Sequence, residues 1–253
     1  MYTESVREMY VELLKKTILF EFWQEHEQDL LSGLWNHRIT TIDPEKHRMG
    51  ETWPQIAHSM IGRMRMDNLQ MCMETVLKEN IEGDFIETGV WRGGACIFMS
   101  GFLKVHEIDN RKVWLADSFQ GLPAPNTTKY PKDKGDILYT IDYLRVSLEE
   151  VQNNFRKYDL LNENVKFLKG WFKDTLPTAP IEKLAILRLD GDLYESTMDS
   201  LSNLYDKVSN GGFIIIDDYN LPTCESAVTD FRRERDIKEP LIRIDNNSAY
   251  WRK

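Results

Sequence analysis

The sequence predicts an α/β fold, a mostly parallel sheet with helices on both faces. Three features carry that prediction. From Asp84 onward, short apolar and β-branched runs alternate with segments of helical periodicity. The first run, Asp84-Phe-Ile-Glu-Thr-Gly-Val-Trp-Arg-Gly-Gly94, passes through a glycine-rich turn into a buried helix that begins at Ala95. That is the strand–turn–helix half of a nucleotide-binding unit. Polar or aromatic residues close the successive strands, where open α/β sheets bind their ligands.

The elements follow in order. Residues 1–80 read as helical, with Val6, Tyr10, Leu13, Leu14, Thr17 and Ile18 recurring at helical spacing. Gly33 to Pro54 is mixed and polar, broken by Gly50 and Pro54, and is expected to be a mobile loop. Met60 to Leu77 resumes as a helix whose methionines suit core filling better than ligand binding. Lys112–Asp117 is a second strand. A long loop from Ser118 to Asp142 carries Pro123, Pro125 and Pro131, and loops of that length usually serve function or are disordered. Ser147 caps a helix running to about Asp159. Asn164–Lys169 is a strand with Gly170–Pro177 as its exit loop. Leu184–Asp190 is a strand, and Glu195–Val208 a helix capped near Ser196. Gly212–Asp217 is a strand and Thr223–Arg235 a helix. Leu241–Ile244 and Ser248–Trp251 close the chain as a hairpin turned by Asp245-Asn-Asn, which can insert one antiparallel strand.

Composition excludes several functions. The net charge is −9, from 32 basic and 41 acidic residues. Nucleic-acid partners need basic patches, so none is expected, and neither is an anionic membrane surface. Cys72, Cys96 and Cys224 are far apart and form no Cys-x-x-Cys pair, which argues for free thiols in a reducing compartment. No apolar run approaches the ~20 residues of a membrane span. The first residues lack the basic-then-apolar order of a signal peptide, so a cytoplasmic location is expected.

The strand ends supply the candidate chemistry. Glu87 precedes the glycine turn, where a phosphate cradle rarely puts a carboxylate but a ligand with a sulfonium and an amino group would accept one. Asp117 stands where a mononucleotide fold keeps its ribose-binding acid. Trp171 and Phe172 offer flat surfaces for an adenine ring. Asp190, Asp217 and Asp218 come from neighbouring strands, and Asp192 follows closely. Three such carboxylates repel one another unless protonated or bound to a cation. Hard oxygen donors suit Mg²⁺, and the absence of His or Cys beside them argues against zinc. There is no Gly-x-Ser-x-Gly elbow. Of the histidines, His26, His37, His47 and His106 carry no functional expectation, while His58 is a minor candidate for a substrate contact.

Ile86-Glu-Thr-Gly-Val-Trp-Arg-Gly-Gly-Ala95, Ala116-Asp-Ser-Phe-Gln-Gly-Leu-Pro123, Gly170-Trp-Phe-Lys-Asp-Thr-Leu-Pro177, Leu187-Arg-Leu-Asp-Gly-Asp-Leu-Tyr-Glu-Ser-Thr197 and Asp217-Asp-Tyr219 together resemble the macrocin O-methyltransferase (TylF-type) family. The similarity spans about residues 50 to 252. The resemblance implies a class I methyltransferase fold with a seven-stranded Rossmann-like sheet. It implies S-adenosylmethionine as cofactor and Mg²⁺-dependent methylation of a sugar hydroxyl, often on an antibiotic or other glycosylated natural product. It also implies a homo-oligomer, with residues 1–80 as helical cap or lid and oligomer contact, and residues 81–253 as the methyltransferase domain. Carried over, Glu87, Thr88, Gly89, Trp91, Arg92 and Gly93 would hold the methionine part of the cofactor. Asp117 and Ser118 would hold the ribose, and Trp171 would lie by the adenine. Asp190, Asp217 and Asp218 would be metal acids, and Asp190 the general base, with Asp192 as the alternative and Asp190 also near the cofactor. Alternative acceptors are a nucleotide-sugar, a surface-polysaccharide sugar or a catechol.

Overall fold

A computed structural model of the chain describes residues 2–36 and 39–253. Its central strands are β1 (Asp84–Thr88), β2 (Val113–Asp117), β3 (Val165–Lys169), β4 (Leu184–Leu189), β5 (Val208–Ile216), β6 (Ile242–Arg243) and β7 (Ala249–Arg252). They form one seven-stranded sheet in the order β3-β2-β1-β4-β5-β7-β6. The first five are mutually parallel, and β7 runs antiparallel between β5 and β6. The terminal hairpin therefore inserts its second strand, as expected. Strand order reverses between β1 and β4, and this switch point opens a crevice at the strands' carboxyl ends.

Period-two alternation gives each face its own core. Phe85, Val113, Leu115, Ala185, Phe213 and Ile215 face one cluster. That cluster is completed by α1 (Glu4–Ile18), α2 (Gly62–Lys78), α3 (Gly94–Val105) and α4 (Leu148–Lys157). Ile86, Trp114, Leu187, Ile214 and Ile216 face the other, with α5 (Tyr194–Leu204) and α6 (Pro222–Glu234). The first cluster runs without a break from Val11 and Met66 to Phe98 and Phe155, so α1 and α2 share a core with the sheet. Contact between α1 and α3 depends on Gly101, where a Cβ would lie 2.3 Å from Leu14 Cδ2. Met66 and Met73 are fully buried, in keeping with a filling role.

Three sequence expectations change. The Gly33–Pro54 stretch is built from short elements, although positions 37 and 38, and with them His37, lie outside the described residues. Thr40–Thr41 pairs with Gln28–Asp29, and Asp43 caps a helix over Pro44–Arg48. Buried His47 bonds Thr52 Oγ1 at 3.0 Å and the Leu19 carbonyl at 2.7 Å, tying the stretch down. The exit of β3 contains a short helix, Phe172–Thr175. Finally, α5 is shorter than expected because Val208 already belongs to β5, and its cap is not Ser196. Fully buried Asp133, from the long loop, accepts hydrogen bonds from Tyr194 N at 2.6 Å and Glu195 N at 3.1 Å. Sequence spacing cannot reveal a cap supplied from a distant loop.

Asp133→Ala is expected to destabilise the protein by about 1–2 kcal/mol, the usual cost of losing a helix cap. For a chain of this size that is a fall of several degrees in Tm, read by calorimetry. An unchanged Tm would mean that Asp133 does not carry the cap.

Candidate active site

The crevice at the switch point holds a cavity of about 530 Å³, within the size range of small-molecule sites. Gly89, Trp91, Asp117, Ser118 and Trp171 line it. So do Asp190, Asp192, Asp217 and Asp218. Residues from the N-terminal region, Leu31, Trp53, Met60 and Arg65, complete the wall, as do Leu122, Leu138 and Leu144 from the long loop and its continuation. The sequence offered Trp171 and Phe172 as aromatic surfaces, and both border the cavity.

Not every expected residue reaches that space. Glu87 and Thr88 are buried beneath the turn, and Thr88 Oγ1 bonds Ser200 Oγ at 3.1 Å. Gly93 begins α3 with φ at 84°, close under Val151 and Phe155. Arg92 turns toward the N-terminal region, donating to the carbonyls of Gln55 at 3.0 Å and Ala57 at 2.9 Å. Its guanidinium also covers the Trp91 ring at 4.2 Å. Beside it, Trp53 stacks on Tyr143 at 5.2 Å, and the Tyr143 hydroxyl donates to the Pro54 carbonyl at 2.6 Å. This aromatic pile joins the 50s segment to the glycine turn. His58 pairs with the Tyr158 hydroxyl at 2.9 Å, and burial holds its imidazole down at about 4.

Asp117 is held by the glycine turn itself. Its Oδ2 accepts from Val90 N at 2.8 Å and its Oδ1 from Phe119 N at 2.7 Å. Burial raises its pKa and these backbone bonds oppose the rise.

Three of the cavity's acids converge. One oxygen from each of Asp190, Asp217 and Asp218 lies within 4.8 Å of the others. Two arginines that sequence reasoning passed over organise them. Arg188, fully buried in β4, donates Nη1 to Glu87 Oε1 at 2.5 Å and to Asp190 Oδ2 at 2.7 Å. Its Nη2 bonds Asp217 Oδ1. Arg65, from α2, donates to Asp217 Oδ2 at 2.6 Å and to Asp245 Oδ2 at 2.7 Å. A signal for Arg188 existed, because it is a lone charge inside an apolar strand and such a charge must be paired. Burial, aided by the neighbouring acids, raises the pKa of Asp190, Asp192 and Asp218. For Asp190, Arg188 opposes the rise. Glu87 is pushed up to about 7 by its burial, against the pull of Arg188.

Asp192 has φ at 57°, in the left-handed region that Asp tolerates. Its backbone N–H donates to Asp218 Oδ2 at 3.1 Å, and Thr223 Oγ1 donates to its carbonyl at 2.7 Å. The side chain is thus set on a fixed turn at the cavity wall, next to the converging acids.

The chain is similar to known proteins along nearly its whole length. The sequence profile of the macrocin-O-methyltransferase (TylF) family matches residues 7–253. The demethyldecarbamoylnovobiocin O-methyltransferase of Streptomyces niveus is 48% identical over 99% of this chain and 95% of its own. The mycinamicin III 3''-O-methyltransferase of Micromonospora griseorubida is 45% identical over 97% of this chain and 96% of its own. The solved structure of the O-methyltransferase NovP superposes with a TM-score of 0.90 at 47% identity, covering 98% of this chain and 99% of that one. The chain is therefore an O-methyltransferase, and it belongs to the macrocin O-methyltransferase family.

Proposed function

We propose that the chain transfers the methyl group of S-adenosylmethionine to a hydroxyl of a sugar carried by a small-molecule natural product, with Mg²⁺ held by Asp190, Asp217 and Asp218. The convergence of those three carboxylates beside Asp192 carries the reading. The relatives support the acceptor class. Besides the two named above, an enzyme 44% identical, from Streptomyces olivaceus, is a 4'-O-methyltransferase of a rhamnosyl tetracenomycin.

The donor set fits a hard divalent cation. All three groups offer carboxylate oxygen, and each oxygen of Asp217 that meets an arginine keeps a further lone pair. When bound, Mg²⁺ would lower the pKa of an acceptor hydroxyl and orient it. S-adenosylmethionine would supply an electrophilic methyl. The chain's residues do the rest. Gly89 and Trp91 would hold the methionine part, above the buried Glu87–Arg188 pair. Asp117 and Ser118 would take the ribose hydroxyls, and Trp171 with Phe172 would flank the adenine.

Asp192 is the better general base. Asp190 is paired with Arg188 and is one of the three cation acids. Asp192 stands outside that set, on its fixed turn at the cavity wall. The surrounding aromatic and apolar residues would exclude water and hold acceptor and donor together, and such positioning supplies much of the rate.

Purified protein with S-adenosylmethionine should methylate members of a panel of deoxysugar glycosides. EDTA should abolish that activity and added Mg²⁺ restore it. Full activity after chelation would remove the metal, and turnover of catechols or nucleotide-sugars in place of the glycosides would overturn the acceptor class.

A further inference from the structure

We propose that Arg65 is a positioning residue through which the N-terminal region completes the cation site, by fixing the Asp217 carboxylate. The inference rests on the proposed reading of Asp190, Asp217 and Asp218 as cation acids. It concerns a residue that lies before the sheet begins and touches none of the other acids of that set by hydrogen bond.

The side chain of Arg65 is 6% exposed and borders the cavity. It holds three separate parts of the chain. Nη1 bonds Asp217 Oδ2 at 2.6 Å, at the end of β5. Nε bonds Asp245 Oδ2 at 2.7 Å, in the turn of the final hairpin. Nη2 reaches the carbonyls of Met49 and Gly50 at 3.4 Å each, in the segment over the cavity. Asp245 is itself fixed, its Oδ1 accepting from Asn247 N, Ser248 N and Ser248 Oγ at 2.7–2.8 Å. Close packing at Gly50 supports the same contact, since a Cβ there would come within 3.0 Å of the Arg65 guanidinium carbon.

Asp217 is therefore clamped at both oxygens, by Arg188 on one and Arg65 on the other. A carboxylate held in this way cannot rotate, so its remaining lone pairs keep one direction. A cation shared by three carboxylates needs that fixed direction from each of them. The positive charge of Arg65 acts against a cation. Its removal, however, frees Asp217 to turn and strands Asp245 in a buried site without a counter-ion. Outer partners of metal-binding groups generally contribute about 10–100-fold to metal affinity, so orientation is the larger effect.

The test measures Mn²⁺ binding to the full chain by EPR, with S-adenosylhomocysteine present. Arg65→Met should weaken Mn²⁺ binding by about tenfold or more, and Arg65→Lys should recover part of the loss. The affinity for S-adenosylhomocysteine should stay close to that of the wild type in both. Asp245→Asn keeps the turn's Oδ1 acceptor but replaces the Oδ2 that anchors Arg65, so it should also weaken Mn²⁺ binding. It decides the matter if Arg65→Met does not fold. Unchanged or tighter Mn²⁺ binding in the decisive variant overturns the inference. So does an equal loss of S-adenosylhomocysteine binding, which would leave Arg65 a role in the fold alone. Failure of the underlying reading looks different, because the wild type itself would then bind no Mn²⁺ or Asp218→Asn would bind it as well as the wild type.

Discussion

Asp218→Asn is expected to lower kcat/KM by about 10³-fold while leaving the fold intact. Of the three converging acids, Asp218 is the cleanest to change. Asp190 and Asp217 are bonded to Arg188, and Asp217 to Arg65 as well, so replacing either would take one carboxylate partner from a buried guanidinium. Asp218 accepts from Asp192 N at 3.1 Å, a bond that an asparagine carbonyl can keep. What the variant loses is negative charge toward a cation. Metal assistance is worth several kcal/mol in the transition state, and each 1.36 kcal/mol is about tenfold in rate. Steady-state kinetics with Mg²⁺ titration, together with Mn²⁺ binding and circular dichroism, checks this. A variant of normal rate and normal cation affinity would show that Asp218 holds no metal.

Asp192→Asn should lower kcat by about 10²–10⁴-fold, the usual contribution of a general base. Cation affinity should remain, which separates Asp192 from Asp190. The substitution suits the backbone, since asparagine tolerates φ at 57° at least as well as aspartate, whereas alanine there would add strain. A pH profile sharpens the test. A general base works only when unprotonated, so kcat rises with pH through the pKa of that group. Burial and the neighbouring Asp190 raise that pKa, placing the acidic limb above the ordinary carboxylate value of about 4, and a bound cation draws it back down. The limb should vanish in Asp192→Asn. If it persists unchanged, another group takes the proton.

Much of this site is legible in the sequence because strands are short and their ends are easily read. A run such as Leu184-Ala-Ile-Leu-Arg-Leu, followed by Asp190, fixes both a buried strand and the side chain delivered at its carboxyl end. The sheet then gathers those ends at one crevice, which topology alone guarantees. What hydrophobic periodicity cannot show is who partners whom across the chain. Asp133 caps a helix that begins at Tyr194, and Arg65 clasps Asp217. Both contacts join loops or helices whose relative placement depends on the packed core. Glu87 is a mixed case. Its oddity in a glycine turn was visible, but not that it lies buried against Arg188 with Cys96 Sγ donating to it at 3.0 Å.

The seam between α1 and α3 has a consequence for protein engineering. Residues of the N-terminal region border the cavity, so exchanging that region between relatives is an obvious way to alter acceptor range. Yet Leu14 and Tyr10 sit in the space that Gly101 leaves open, and Val11, Met66 and Phe98 belong to one uninterrupted core. A chimera cut cleanly before β1 would bring together two surfaces that were never shaped for each other. Donor segments have to be transplanted with their matching face of α3, so that the graft boundary follows the packing and not the sequence order of helix and sheet.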